Sequence, residues 1–113
     1  MRREELYLAD ILDAANAIEK FLTDIDKDSF INNDLVRSAV LQKLTLIGEA
    51  AERLPKTFKD RHKEIEWVDI VAFCNLAVHA YFSIDCSIVW TTAIQDVPEL
   101  KHKIIAIASM ADQ

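Results

Sequence analysis

The chain has 113 residues, 51% of them hydrophobic, which suits one domain with a packed core and is too short for two. A single glycine and two prolines are fewer than the turns of a β-sandwich or an α/β fold of this size require, so the composition favours an all-α fold. The net charge of -6 argues against a protein that binds nucleic acid over its whole surface, although it does not exclude a local basic patch.

The two cysteines, Cys74 and Cys86, are too few for a disulfide framework, and no signal-peptide pattern precedes the first predicted helix. No apolar run approaches the roughly 18 to 20 residues that a transmembrane helix needs. We therefore expect a cytoplasmic protein with free thiols that does not enter the membrane.

The first half of the chain predicts two helices. Apolar residues recur at steps of three and four over Glu4–Ile25, which is typical of an amphipathic helix. The polar cluster at Asp24–Ser29 predicts a loop, after which Asn32 or Asn33 can cap a second helix at Asp34–Leu54.

The second predicted helix carries an unusually wide apolar stripe. One neighbouring helix cannot cover a stripe of this width, so we expect the helix at the centre of a bundle or at a subunit interface, with a dimer as the natural assembly. Gly48 lies in the middle of this helix and costs about 1 kcal/mol against alanine. Close approach of another helix backbone would explain it; a tolerated glycine without a role is the alternative.

The second half predicts the remaining helices of the bundle. A helical pattern covers Trp67–Val78, and Asp85 is a good N-cap for a further helix that must stop before Pro98. Pro98 itself suits the first turn of a last helix. The prediction is an antiparallel bundle of four or five helices, forming one domain over residues 1–113 that dimerises through Asp34–Leu54 and the region around His79.

The only strongly basic segment is Arg53–Lys63, in which the acidic residue is Asp60. Such a segment is most often a solvated connection, but in so acidic a chain it is also the one place suited to RNA phosphates. The candidate RNA-binding residues are Arg53, Lys56, Lys59, Arg61 and Lys63. Neither His62 nor His102 has a partner at metal-ligand spacing, so we expect no metal site.

Polar residues interrupt an otherwise apolar stretch near the end of the Trp67 helix. Asn75 and His79 are four residues apart and can meet on one helical face, where the amide could orient the imidazole. Cys74 is five residues from His79, and a cysteine is too short to reach around the helix, which argues against a Cys/His nucleophile. Tyr81 lies just past the expected helix end. Taken alone, His79 is better explained as a histidine stabilised by the dipole at a helix C-terminus than as a catalytic residue.

Three segments resemble the HepT-like branch of the HEPN superfamily, and the similarity runs in order along essentially the whole chain. They are IGEAAERLP at Ile47–Pro55, RHKEIEW at Arg61–Trp67, and NLAVHAYFSID continuing into IVW at Asn75–Trp90. The resemblance implies a dimeric helical bundle with its active site at the dimer cleft. It also implies a metal-independent ribonuclease toxin without a cofactor, encoded beside a minimal nucleotidyltransferase antitoxin that neutralises it by adding AMP to the motif tyrosine.

The family motif is an arginine, then, four to six residues on, a histidine, any residue and a tyrosine. In this chain His79 and Tyr81 match the last two positions, Asn75 matches the polar residue that commonly follows the arginine, and Cys74 stands where the arginine is expected. The resemblance implies cleavage of RNA by its own 2'-hydroxyl, with His79 moving a proton and Asn75 orienting it.

A thiol at Cys74 supplies neither the permanent charge nor the reach of a guanidinium at the transition state. Losing one such donor typically costs about 100- to 1000-fold in rate. The second His79 of a dimer, or Arg53 or Arg61 turned toward the cleft, could compensate. Two alternatives therefore stay open: a catalytically silent dimer that still binds the nucleotidyltransferase, and a helical interaction module unrelated to RNA.

Overall fold

The computed structural model describes residues 3–79 and 85–111, with the backbone alone for 76–79 and 110–111. The described residues contain helices and no strand, which confirms the predicted all-α fold. In chain order the helices are α1 (Arg3–Phe21), α2 (Lys27–Ile31), α3 (Asp34–Arg53), α4 (Lys56–Arg61), α5 (Trp67–His79), α6 (Cys86–Thr91), a π-helical turn (Thr92–Asp96) and α7 (Val97–Ala111). None of the described helices is both long and apolar enough to cross a membrane.

Helix α3 lies at the centre of the bundle. It packs against α1 on one side and α5 on the other, while α7 packs against α1 and α2 lies between α3 and α6. Two neighbouring helices therefore cover most of the wide apolar stripe of α3 within one chain, whereas Leu35 and Leu46 stay 79% and 39% exposed. Its buried residues are Val40, Leu41, Leu44, Ile47, Gly48, Ala50 and Ala51.

Side-chain caps set the beginning of two helices as predicted. The side-chain oxygen of Asn33 accepts a hydrogen bond from the Val36 amide at 3.0 Å, which starts α3. The carboxylate of Asp85 accepts one from the Ser87 amide at 2.8 Å, which starts α6. Each cap satisfies an amide hydrogen that has no partner within the first helical turn.

The predicted end of the first helix and the loop after it were partly wrong. Helix α1 ends at Phe21, and Asp24 has a positive φ of 60°, a conformation that ends a helix and that aspartate tolerates better than most residues. The following polar cluster contains α2, because Asp26 caps it by accepting a hydrogen bond from the Ser29 amide at 2.8 Å. The fully buried Phe30 anchors this short helix, with its ring centroid 5.3 Å from that of Trp90.

The chain does not leave the helix before Pro98, contrary to the prediction. The α-helical pattern stops at Thr91, but the backbone continues through the π-helical turn, in which the Val97 amide donates to the carbonyl of Thr92, five residues earlier. Pro98 then falls in the first turn of α7, as predicted. A wider turn ahead of proline tolerates its missing amide hydrogen and the bulk of its ring.

The basic segment is more structured than a solvated connection. It forms α4, and the Phe58 side chain is 6% exposed within the core. The guanidinium of Arg61 lies 5.9 Å from the centroid of the Phe58 ring. Leu54 and Phe58, which are both buried, thus hold the basic stretch on the bundle, where it leads toward α5.

Candidate functional site

Helix α5 is fixed at its beginning by an aromatic cluster. Trp67 is buried, and its indole nitrogen donates a hydrogen bond to the carbonyl of His62 at 3.0 Å. The Phe58 ring lies between the two, with its centroid 4.6 Å from that of His62 and 6.3 Å from that of Trp67. This packing attaches the start of α5 to α4, so the residues along α5 occupy set positions relative to the basic segment.

Cys74 belongs to the contact between α5 and α3, where it faces Gly48. A Cβ added to Gly48 would overlap the Cβ of Cys74 and would lie 3.1 Å from its Sγ. The prediction that Gly48 permits close approach of another helix is thereby confirmed. Cys74 is 4% exposed, and this burial raises the pKa of its thiol to about 11, although a hydrogen bond from the Gly48 backbone opposes part of the rise. The thiol is therefore neutral at physiological pH.

Asn75 lies on a different face of α5 from its neighbour Cys74, and its side chain is exposed. His79 is the last residue of α5, about one helical turn after Asn75, so the backbone places the two positions on the same face. The contact between their side chains stays a prediction, because the side chain of His79 and the whole of Tyr81 fall outside the described residues.

Asn75 lines a groove of about 780 Å³ between α4 and α5. Three of the five predicted RNA-binding residues, Lys56, Lys59 and Lys63, line the same groove. The structure thus brings together residues that are up to 19 positions apart in the sequence. Asn75 and a set of ammonium groups therefore border one open space.

The ammonium groups of these lysines differ in how strongly other groups of the chain already bind them. The ammonium of Lys59 donates to the carbonyls of Ala51 and Glu52 at 3.2 and 3.5 Å, at the C-terminal end of α3, so it acts as a helix cap. Lys56 forms an exposed ion pair with Asp60 at 3.3 Å, a kind of pair worth about 0 to 1 kcal/mol that phosphate can replace. Carboxylates also line the groove: Glu52, Asp60, Glu66 and Asp69.

The two predicted arginines lie elsewhere. Arg53 lines a separate groove of about 270 Å³ between α1 and α3, together with Lys43. Arg61 lies over the Phe58 ring and is absent from the described lining of the Asn75 groove. Neither side chain is positioned beside Asn75 in the single chain, so neither takes the place of the motif arginine there.

Sequence reasoning missed the apolar wall of the groove. Val68 is 81% exposed, and Val68, Val71 and Ala72 line the groove beside Asn75. Val68 and Ala72 precede Asn75 by seven and three residues, which places them on its face of the helix. The signal was present in the sequence: apolar residues occur all around α5, and a helix of this kind is usually covered on more than one side.

Comparisons with known proteins identify the family of this chain. The model of the HepT-like family, described as ribonuclease HepT-like, matches residues 11–107. A Methanocaldococcus jannaschii protein whose name describes it as a candidate RNase is 36% identical over 103 residues, which cover 91% of this chain and 94% of that protein. A Thermococcus cleftensis protein named probable ribonuclease HepT is 36% identical over 102 residues, which cover 90% of this chain and 93% of that protein. No solved structure gives a significant match. From its sequence match, and with a helical bundle that fits, this chain belongs to the HepT-like ribonuclease family.

Proposed function

We propose that this protein is a metal-independent endoribonuclease and the toxin of a HEPN/minimal-nucleotidyltransferase toxin–antitoxin pair. The observation that carries the proposal is the placement of Asn75 and the backbone of His79 on one face of α5, beside a groove bordered by lysines, in a chain of the HepT-like family. The whole chain would act as one HEPN-like domain without a cofactor.

The proposed reaction is transesterification within the RNA strand. The 2'-hydroxyl attacks the adjacent phosphorus while the bond to the 5'-oxygen of the next nucleotide breaks, leaving a cyclic phosphate and a 5'-hydroxyl. His79 would exchange the proton with the attacking or the leaving oxygen, since an imidazole titrates near neutral pH. Asn75 would hold the imidazole in the productive orientation by a hydrogen bond.

We place the active site at a dimer cleft formed around α5. The support is the exposed apolar surface of Val68 and Ala72 beside Asn75, a surface that a single chain leaves in water. Arg53 and Arg61 lie away from this face, so in this proposal the second copy supplies the missing positive charge, through its own His79 across the two-fold axis.

Removing the ammonium groups of Lys56 and Lys63 should weaken RNA binding about tenfold at low salt. In a His79→Ala background, which prevents turnover, Lys56→Ala/Lys63→Ala should also reduce the slope of log Kd against log salt by up to about 1.4, since each phosphate contact with a single strand contributes about 0.7. The measurement is fluorescence anisotropy of a labelled RNA over a salt series.

The matched control for this pair is Lys43→Ala/Arg53→Ala, which removes the same charge from the groove between α1 and α3. This control should change the affinity about twofold or less, as expected for a change in net charge alone. Equal weakening of RNA binding by the two double variants would show that RNA does not bind specifically at the groove beside Asn75.

The neutralising partner would transfer AMP to Tyr81. Its phenol oxygen would attack the α-phosphorus of ATP and release pyrophosphate, and the added phosphate would repel RNA from the site. With a minimal nucleotidyltransferase and ATP supplied, intact-mass spectrometry should show the addition of AMP to the wild-type chain and none to Tyr81→Phe. Tyr7→Phe, at the other tyrosine of the chain, should still be modified; modification of Tyr81→Phe would contradict the proposal.

A second candidate function is a catalytically silent protein that binds the nucleotidyltransferase without cleaving RNA. The observation that favours it is Cys74, whose buried and neutral thiol offers no charge to a phosphate. The two candidates differ in one assay: chelator-resistant cleavage of RNA by the purified chain supports the first, whereas formation of the partner complex without cleavage supports the second. Strong RNA cleavage only after Cys74→Arg would show that the missing activity of the wild-type chain is due to Cys74.

A further inference from the structure

A second groove lies between α5 and α7, and it shares Ile65, Glu66 and Asp69 with the groove beside Asn75. It has a volume of about 470 Å³, and its wall on α5 includes Ile70 and Phe73, which are both half-buried. The fully buried Leu44 and Ile47 of α3 form its floor. The space above these two residues stays open because α5 packs mainly on α3, and α7 mainly on α1. The result is an apolar groove that runs between two helices.

Carboxylates stand along both sides of this groove. Glu66 and Asp69 border it on the α5 side, and Asp96 and Glu99 on the α7 side, and all four are exposed. Among the described lining residues, the one cation is Lys103. Its ammonium is already engaged, since it donates to the Glu64 carbonyl at 2.9 Å and pairs with Glu99 at 3.2 Å. The groove is therefore apolar along its floor and negative along its edges.

Within the part of the chain that the structure describes, no ion pair engages Glu66, Asp69 or Asp96. These three carboxylates are also not arranged as a metal site, because no group of three or more His, Cys, Asp and Glu among the described residues could hold an ion. They repel one another across an apolar floor, an arrangement that positive charges on a ligand would stabilise.

We propose that this groove, which we call the α5/α7 groove, docks an amphipathic helical segment of a partner protein with apolar anchors and flanking lysines or arginines. A helix presents side chains at i, i+3, i+4 and i+7 to a groove, so its apolar residues would enter between α5 and α7. The flanking cations would then meet Asp69 on one side and Asp96 on the other. The proposal goes beyond ribonuclease activity and does not depend on it.

A second copy of this chain fits the groove less well. Its basic segment has the required charge, but the central apolar residue of that segment, Phe58, is 6% exposed and is held within its own core. Docking by α4 would thus offer cations without an anchor, whereas a groove of this kind gains affinity chiefly from buried apolar side chains.

The test uses a synthetic helical peptide of about four turns, with leucines at helical spacing and lysines on either side. A second peptide carries glutamates in place of the lysines, and a third has the composition of the first in scrambled order. Binding to the full chain is measured by fluorescence anisotropy. The lysine peptide should bind more tightly than both others, and a failure of wild-type protein to discriminate among the three would overturn the proposal.

Charge reversal at the groove locates the binding site. Asp69→Lys/Asp96→Lys should weaken binding of the lysine peptide by at least about tenfold and strengthen binding of the glutamate peptide. The matched control, Asp10→Lys/Glu49→Lys, reverses two carboxylates of the groove between α1 and α3 and should change either affinity by about twofold or less. Equal effects of the two variants would show attraction to net charge alone and would overturn the proposal.

Circular dichroism and thermal melting establish that each variant is folded. If charge reversal unfolds the chain, Asp69→Asn/Asp96→Asn replaces it, with an expected weakening of about three- to tenfold. Sedimentation of the wild-type chain with and without the peptide completes the test, because displacement of a self-associated species by the peptide would assign the groove to a second copy and reject a foreign partner. These assays contain no RNA, so their outcome is separate from that of the proposed nuclease.

Discussion

Replacing His79 by alanine should slow RNA cleavage by at least about 100-fold, the typical lower limit for the loss of a general acid or base. The alanine side chain can neither take the proton of the 2'-hydroxyl nor give one to the leaving oxygen. If two copies share the cleft, each variant dimer loses both imidazoles, and the loss should be larger. The measurement is the initial rate of cleavage of a labelled RNA with excess chelator, by wild type and variant purified in parallel.

His102→Ala is the control for this experiment, because it removes an exposed histidine of α7 and should leave the rate unchanged. The wild-type rate should also pass through a maximum near neutral pH, whereas the residual rate of His79→Ala should not, since the titrating imidazole is gone. Cleavage by His79→Ala at the wild-type rate would show that His79 has no catalytic role. The activity would then come from a contaminating nuclease or from a different site.

Replacing Gly48 by alanine should destabilise the fold by about 1 to 3 kcal/mol, although alanine is the better helix former by about 1 kcal/mol. The added Cβ would overlap the Cβ of Cys74, so α3 and α5 must move apart and lose the packing between them. The expected fall in melting temperature is about 5 to 15 °C. Glu49→Ala, at an exposed neighbouring position of α3, should stay within about 0.5 kcal/mol of wild type.

A size swap tests the cause of this destabilisation. In Gly48→Ala/Cys74→Gly the nearest remaining atom to the new Cβ is the Cα of residue 74, at an ordinary contact distance of 3.7 Å. Each single variant should be destabilised, by overlap in one case and by a lost side chain and a helical glycine in the other. The double variant should be more stable than the sum of the two losses by at least about 1 kcal/mol. Additive losses would show that the two side chains do not meet.

The sequence by itself determined the elements that depend on local patterns. Periodicity and caps gave the central helix to within one residue at its end, together with the capping roles of Asn33 and Asp85, because these features involve neighbours in the chain. A glycine within a strong helical pattern also predicted the close approach of another helix at Gly48, although the sequence did not identify Cys74 of α5 as the residue that approaches. The order of family segments along the chain was enough to indicate the HepT-like family.

Only the tertiary structure decided which face of each helix is covered, because that depends on residues distant in the chain. Cys74 and Asn75 are adjacent in sequence, yet one is buried against α3 and the other borders an open groove. The cations of the basic segment are likewise divided between two surfaces: its three lysines line the groove beside Asn75, whereas Arg53 lines the groove between α1 and α3. Burial of apolar surface selects among alternative faces of a helix, and it does so only when all the helices are in place.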